Sequence, residues 1–175
     1  MIRYLTIIVD FSRASLKQDL RPNRAVVTKE ILTSFIQSFI DQNPLSKLSI
    51  IATMNQRAIC ISDFDQPIYV SIQRLRQVDD FDGNPSYQNA LEIAKQQIEL
   101  SVPPYAVKEL LLVNSSITNC DPGNINETIK ELKAAKIVCS VISLSAAMFI
   151  LQNLAKTTNG QFYMAKNREH YEEIA

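Results

Sequence analysis

Hydrophobic and polar positions along this chain switch repeatedly between two spacings, and the switches lay out its elements. Tyr4-Leu5-Thr6-Ile7-Ile8-Val9 is a short, nearly unbroken apolar run, which predicts a buried strand. A helix beginning at Asn23 or its neighbours follows, because Ile31, Leu32, Phe35, Ile36, Phe39 and Ile40 recur at helical spacing as one wide apolar stripe. Asn43-Pro44 ends it, since proline excludes its predecessor from the α region. Leu48 to Ala52 predicts a second strand and Arg57 to Ile61 a shorter third. Ile68, Ile72 and Leu75 sketch a small helix that gives way to the acidic loop Asp79-Asp80-Phe81-Asp82-Gly83.

Asn84-Pro85 is a cap and first-turn signal, and Ala90, Leu91, Ala94 and Ile98 give the next helix its inward face. Leu110-Leu111-Leu112-Val113 is the strongest strand signal, continuously apolar as expected where helices cover both faces of a parallel sheet. Asp121-Pro122 opens a helix with Ile125, Ile129 and Leu132 facing inward. Ile137 to Ile142 predicts a strand, and Ala146 to Ala155 a helix closed by Asn159-Gly160. A last strand spans Gln161 to Met164, and Arg168 to Ile174 reads as a terminal helix. Six strands interleaved with helices predict an α/β fold, a doubly wound three-layer sandwich. Its sheet is mainly parallel, with Tyr4–Val9 and Leu110–Val113 adjacent at the centre. The third strand lies antiparallel at an edge, because only a short turn joins it to the second.

Length and charge narrow the possibilities. The 175 residues are enough for one domain with a full core, so residues 1–175 are expected to form a single unit. Eighteen basic residues balance 18 acidic ones, which leaves no overall field for nucleic acid or an anionic membrane. No apolar stretch nears the roughly 20 residues that span a bilayer, and the N-terminus lacks a signal pattern, so the chain reads as intracellular. Cys60, Cys120 and Cys139 are far apart with no CxxC pair, and His170 alone cannot complete a zinc set. Mostly buried thiols without a disulfide are expected.

In sheets of this kind, function gathers at the carboxyl ends of the strands where the strand order reverses. That edge is predicted to hold Asp10 to Ser15, Gly83 to Tyr87 and Asn114 to Asn124. Asp10-Phe11-Ser12-Arg13-Ala14-Ser15 places a carboxylate and hydroxyls after the first strand, the way one kind of divalent-metal site begins. The pattern resembles that of a von Willebrand factor A-type domain. The metal site of such a domain uses DxSxS after strand one, a Thr before a later helix and an Asp after strand four. Asp10 and Ser12 match the first two positions. The third falls on Ala14, the Thr position on or beside Pro85 and Ser86, and the late Asp position in Asn114-Ser115-Ser116, which has no carboxylate.

More narrowly, the chain is similar to the von Willebrand A domain of one core subunit of TFIIH, the general transcription and nucleotide-excision-repair factor. DLRPNR (Asp19 to Arg24), DQNPLSKLSII (Asp41 to Ile51), GNPSYQNALEIA (Gly83 to Ala94), TNCDPGNI (Thr118 to Ile125) and LKAAKIVCSVISLSA (Leu132 to Ala146) carry that similarity through nearly the whole chain. The resemblance implies a nuclear, non-catalytic interaction domain. Its implied partners are the XPD-type helicase, which it binds and stimulates, and other TFIIH core subunits. Members of that family carry zinc modules after this domain, so the chain reads as an excised domain.

Site by site, structural roles compete with chemical ones. Asp10 can ligate a metal or accept hydrogen bonds from loop amides. With Asp10, Ser12, Ser86 and Ser116 as a degenerate set, Mg²⁺ affinity is expected on the order of 10⁻³ M or weaker, hence no metal and no cofactor. Asp79, Asp80 and Asp82 fail the EF-hand spacing and read as a solvated loop. Asp121 is most simply a helix N-cap. Ser116, Thr118, Asn119, Cys120, Asp121 and Asn124 form a polar loop at the switch edge and are the expected partner contacts.

No GxSxG elbow, Cys–His pair or GxxxxGK[ST] loop supports catalysis. Two other binding-module readings share the fold: a proteasomal ubiquitin-receptor scaffold and a metal-dependent adhesion-type ligand binder.

Overall fold

The computed structural model describes residues 3–11, 24–42, 46–54, 57–64, 68–77, 87–101, 106–114, 125–143, 149–158 and 160–164. Six strands run in chain order as β1 (Arg3–Asp10), β2 (Lys47–Met54), β3 (Arg57–Ser62), β4 (Val107–Asn114), β5 (Val138–Ser143) and β6 (Phe162–Met164). Five helices accompany them: α1 (Arg24–Gln42), α2 (Ile68–Gln77), α3 (Tyr87–Ser101), α4 (Ile125–Ala134) and α5 (Phe149–Thr157). The sheet order is β3-β2-β1-β4-β5-β6, parallel throughout except for β3 against β2. The expected three-layer sandwich is present, with β1 and β4 side at its centre and β3 antiparallel at one edge.

Alternation along the strands sends successive side chains to opposite layers. Leu5, Ile7, Val9 and Phe11 pack with α1 and α2. Ile8, Leu110, Leu112, Cys139 and Val141 pack with α3, α4 and α5. The α1 stripe is anchored by Leu32 and Ile36, both fully buried, each worth about 1.5–3 kcal/mol relative to exposure. Ser62 and Ser71 fasten β3 to α2, their hydroxyls 2.7 Å apart.

Three departures from the sequence pattern have physical causes. Ile137 is not in β5, because it closes α4 instead. Its N–H donates to Leu132 O at 3.1 Å and that of Lys136 to Lys133 O at 3.0 Å, with Lys136 at φ 61°. This is a Schellman C-cap, and Ile137 and Leu132 make its hydrophobic contact in the core. Leu111, expected to be covered on its face of the sheet, is only partly buried. It borders a cavity of about 250 Å³ whose described lining includes Leu5, Phe35, Val138, Ile142 and Tyr163. Cys60 is exposed, because β3 is an edge strand, while Cys139 is buried as expected.

At the end of α5, Thr158 and Gly160 donate backbone N–H bonds to Leu154 O and Ala155 O. A Cβ on Gly160 would lie 1.7 Å from Cys139 O, so the residue opening the approach to β6 has to be glycine. The predicted terminal helix, Arg168 to Ile174, lies outside the described residues.

Candidate functional site

The strand order reverses between β1 and β4, so the crevice at their carboxyl ends is the position favoured for function in such sheets. Three strands, β1, β4 and β5, end there on polar residues, and β2 carries Thr53 one place before its end at Met54. Asp10 pairs with Thr53 across β1 and β2, Asn114 pairs with Ser143 across β4 and β5, and the β1–β4 ladder reaches Val9–Val113 one step before. Register therefore lines up Thr53, Asp10, Asn114 and Ser143 as one row on the α3-facing side. None of the four is more than 1% exposed. The pairing of β1 with β2 runs one residue further, because Phe11 N–H donates to Thr53 O at 3.0 Å.

Tyr87 is the first residue of α3 and is fully buried. Its ring drops onto this polar row, and its hydroxyl donates to Asp10 Oδ2 at 2.8 Å. The same hydroxyl lies against Asn114 Oδ1, and Asn114 Nδ2 reaches Ser143 Oγ at 3.1 Å. A buried carboxylate needs donors, and the phenol supplies one to Asp10. One buried chain of hydrogen bonds thus runs from β1 through α3 and β4 to β5.

Of the expected metal-site positions, Asp10 is described, and Ser12, Ser86 and Ser116 lie outside the described residues. Within the triplet where a late carboxylate would fall, Asn114 is the residue beside Asp10. Mg²⁺ requires near-octahedral oxygen ligands at about 2.1 Å and favours carboxylates. Here the described donors are one carboxylate already engaged by a phenol, one amide and neutral hydroxyls. Among the described residues no three His, Cys, Asp or Glu side chains are grouped to hold a metal ion. This donor set fits a hydrogen-bonded cluster and does not fit a divalent cation.

The expected partner loop, Ser116, Thr118, Asn119, Cys120, Asp121 and Asn124, lies outside the described residues. Its two anchors are described: β4 ends at Asn114 and α4 begins at Ile125. Thr53 and Ser143 are the residues that sequence reasoning missed, while Tyr87 was reached as the end of the Gly83 to Tyr87 segment expected at this edge. The available signal was the parity of the polar residue that closes each apolar run. The described thiols stand apart from the crevice. Burial pushes the Cys139 thiol up to about 12, and Cys60 accepts from Gln97 Nε2 at 2.9 Å on the far edge of the sheet. Among the described residues no helix is long and apolar enough to cross a membrane.

Comparison with known proteins gives a consistent picture. The sequence pattern of the Ssl1-like family matches residues 8–175. The chain is 38% identical over 174 residues to general transcription factor IIH subunit 2 of Arabidopsis thaliana, covering 99% of this chain and 41% of that protein. It is 39% identical over 173 residues to the subunit 2 protein of Dictyostelium discoideum, covering 99% of this chain and 37% of that protein. The chain thus spans about two fifths of the length of these relatives. Among solved structures, the TFIIH p34 N-terminal domain superposes with a TM-score of 0.73 at 14% identity, over 98% of this chain and 94% of that one. The SpRpn10 VWA domain gives 0.78 at 13% identity, over 94% and 88%. At these identities the structural likenesses establish the von Willebrand A fold.

Proposed function

The chain belongs to the Ssl1-like family, and from that premise we propose that it is a non-catalytic scaffold domain of TFIIH acting in transcription and nucleotide excision repair. The observation that carries this reading is the 38% identity to a TFIIH subunit 2 protein across 99% of the chain. The domain docks on the XPD-type helicase and raises its activity, binds other TFIIH core subunits, and works in the nucleus. It needs neither direct nucleic-acid binding nor a membrane.

The contact lies in the loop between β4 and α4, through Ser116, Thr118, Asn119, Cys120, Asp121 and Asn124. Two features support that choice. The loop leaves the sheet at the switch edge, and both of its ends are fixed by rigid elements, one of which is tied into the Tyr87 cluster. A segment held at both ends loses less entropy on docking. Asn119 and Cys120 make the contact, while Asp121 holds the loop as the cap of the following helix.

The test is a pull-down of this domain with the XPD-type helicase of its own organism, paired with an ATPase assay. Changing Asn119 and Cys120 together to bulky charged residues is expected to weaken binding and stimulation while Tm stays within a few degrees of wild type. Full stimulation by a well-folded double variant would place the contact elsewhere, with the Gly83 to Tyr87 segment next in line.

A further inference from the structure

We infer that the Tyr87 hydroxyl is a permanent internal substitute for a bridging cation, fastening the ends of β1 and β4 and closing the crevice to divalent metals. A cation in such a crevice would work by drawing oxygen donors from separate strand ends onto one centre. Here a single phenolic oxygen meets both Asp10 of β1 and Asn114 of β4. The ring behind it is fully buried in the α3-side core, the cluster that also holds Ala90, Leu91 and Leu112. The hydroxyl therefore cannot swing aside for a hydrated ion without opening that core.

The donors and acceptors of these contacts are compatible with the same assignment. A phenol has one proton to give, and a carboxylate is a stronger acceptor than an amide oxygen. With the Asn114 amide turned over, its nitrogen donates to the Tyr87 oxygen and its oxygen accepts from the Ser143 hydroxyl. Each of these three contacts then has a donor facing an acceptor. An added cation would find its best ligand taken and an amide N–H facing it. This inference is independent of the helicase reading and survives its failure, because it concerns the strand ends and not the partner loop.

The test is a Mn²⁺ titration by calorimetry, with thermal melts in EDTA and in millimolar Mn²⁺, on the 175-residue chain and two variants. Wild type is expected to show no stoichiometric site, with Tm the same to about 1 °C in both buffers. Tyr87→Phe removes the hydroxyl alone and lowers Tm by about 3–10 °C in both buffers, because Asp10 and Asn114 lose their shared partner. Tyr87→Ala with Asn114→Asp vacates the crevice and supplies the second carboxylate. It is expected to bind one Mn²⁺ and to gain at least about 5 °C on metal addition.

Wild-type binding tighter than about 1 mM would overturn the inference. So would an unchanged Tm for Tyr87→Phe, or a folded double variant indifferent to Mn²⁺. Should the double variant not fold, the wild-type titration and the Tyr87→Phe melts decide the matter alone.

Discussion

β1 and β4 are linked by polar side chains at both ends, and the two links are built on opposite terms. At the amino end, Arg3 Nε and Nη2 donate to Glu109 Oε1 and Oε2 at 2.7 and 2.6 Å, a two-pronged ion pair of good geometry. The guanidinium also lies 4.9 Å from the centre of the Phe39 ring. Yet the two side chains keep 36% and 25% of their surface in contact with water. At the carboxyl end, Asp10, Tyr87, Asn114 and Ser143 are joined side chain to side chain with almost no exposure. Geometry alone would favour the ion pair. Burial reverses the ranking, because losing one partner in a dry cluster strands the others, whereas water replaces a lost partner at the surface.

The strongest way to break the contrast is Tyr87→Ala, which removes both the ring from the core and the donor from Asp10. It is expected to lower unfolding free energy by about 3–5 kcal/mol, read from urea denaturation. A smaller effect comes from ionisation. Desolvation holds the Cys139 thiol at about 12, against 9.0 for the free group, and a hydrogen bond involving Thr158 offsets only part of that. A raised folded value means that its contribution to stability is complete below the unfolded value and is lost as pH climbs toward the folded one. Between pH 9 and 11 wild type should therefore lose up to about 1.4 kcal/mol per pH unit more than Cys139→Ala.

At the amino end the analogous change is silent in any ordinary buffer. Arg3 is raised chiefly by its hydrogen bond to Glu109, so its contribution persists across the whole ordinary pH range. Arg3→Met keeps the stem over Phe39 and should cost no more than about 1 kcal/mol, most of it gone in 1 M salt. A loss above about 2 kcal/mol would mean that the two ends are closer in kind than their exposure implies. The smallest effect is a gain. Lys136 holds the left-handed position of the α4 cap at φ 61°, and Lys136→Gly should add up to about 1 kcal/mol while leaving the Tyr87 cluster untouched.

The centre of the fold was legible because Ile7-Ile8-Val9 and Leu110 to Val113 are too apolar to be anything but buried strands. The short β2–β3 connection likewise forced an antiparallel edge. Ile137 was misplaced by one element because its apolar side chain suits a strand and a cap contact equally, and only the reversal at Lys136 decides between them. Cys60 looked like a core thiol because sequence does not say which face of an edge strand is covered.

At the candidate site, Asp10 stood out as a carboxylate ending an apolar run. Tyr87 came in only as the last residue of the Gly83 to Tyr87 segment, since nothing in the sequence ties its hydroxyl to Asp10. Thr53 and Ser143 were invisible for a different reason. A hydroxyl at the end of a strand gains meaning only when the register shows what stands beside it.

The pairing of β1 with β4 also has a consequence for how the chain is made. Tyr87 lies 77 residues beyond Asp10, and Glu109 lies 106 beyond Arg3. At synthesis rates of roughly 5–20 residues per second, one flank of β1 waits about 5–20 s for its neighbour to leave the ribosome. Through that interval β1 can form a three-stranded unit with β2 and β3, but its other edge is bare and the Tyr87 hydroxyl has not yet reached Asp10. Over that interval the nascent chain carries one bare strand edge. A chaperone that recognises exposed apolar strands would find its window there, and arrival of Val107 to Asn114 closes it.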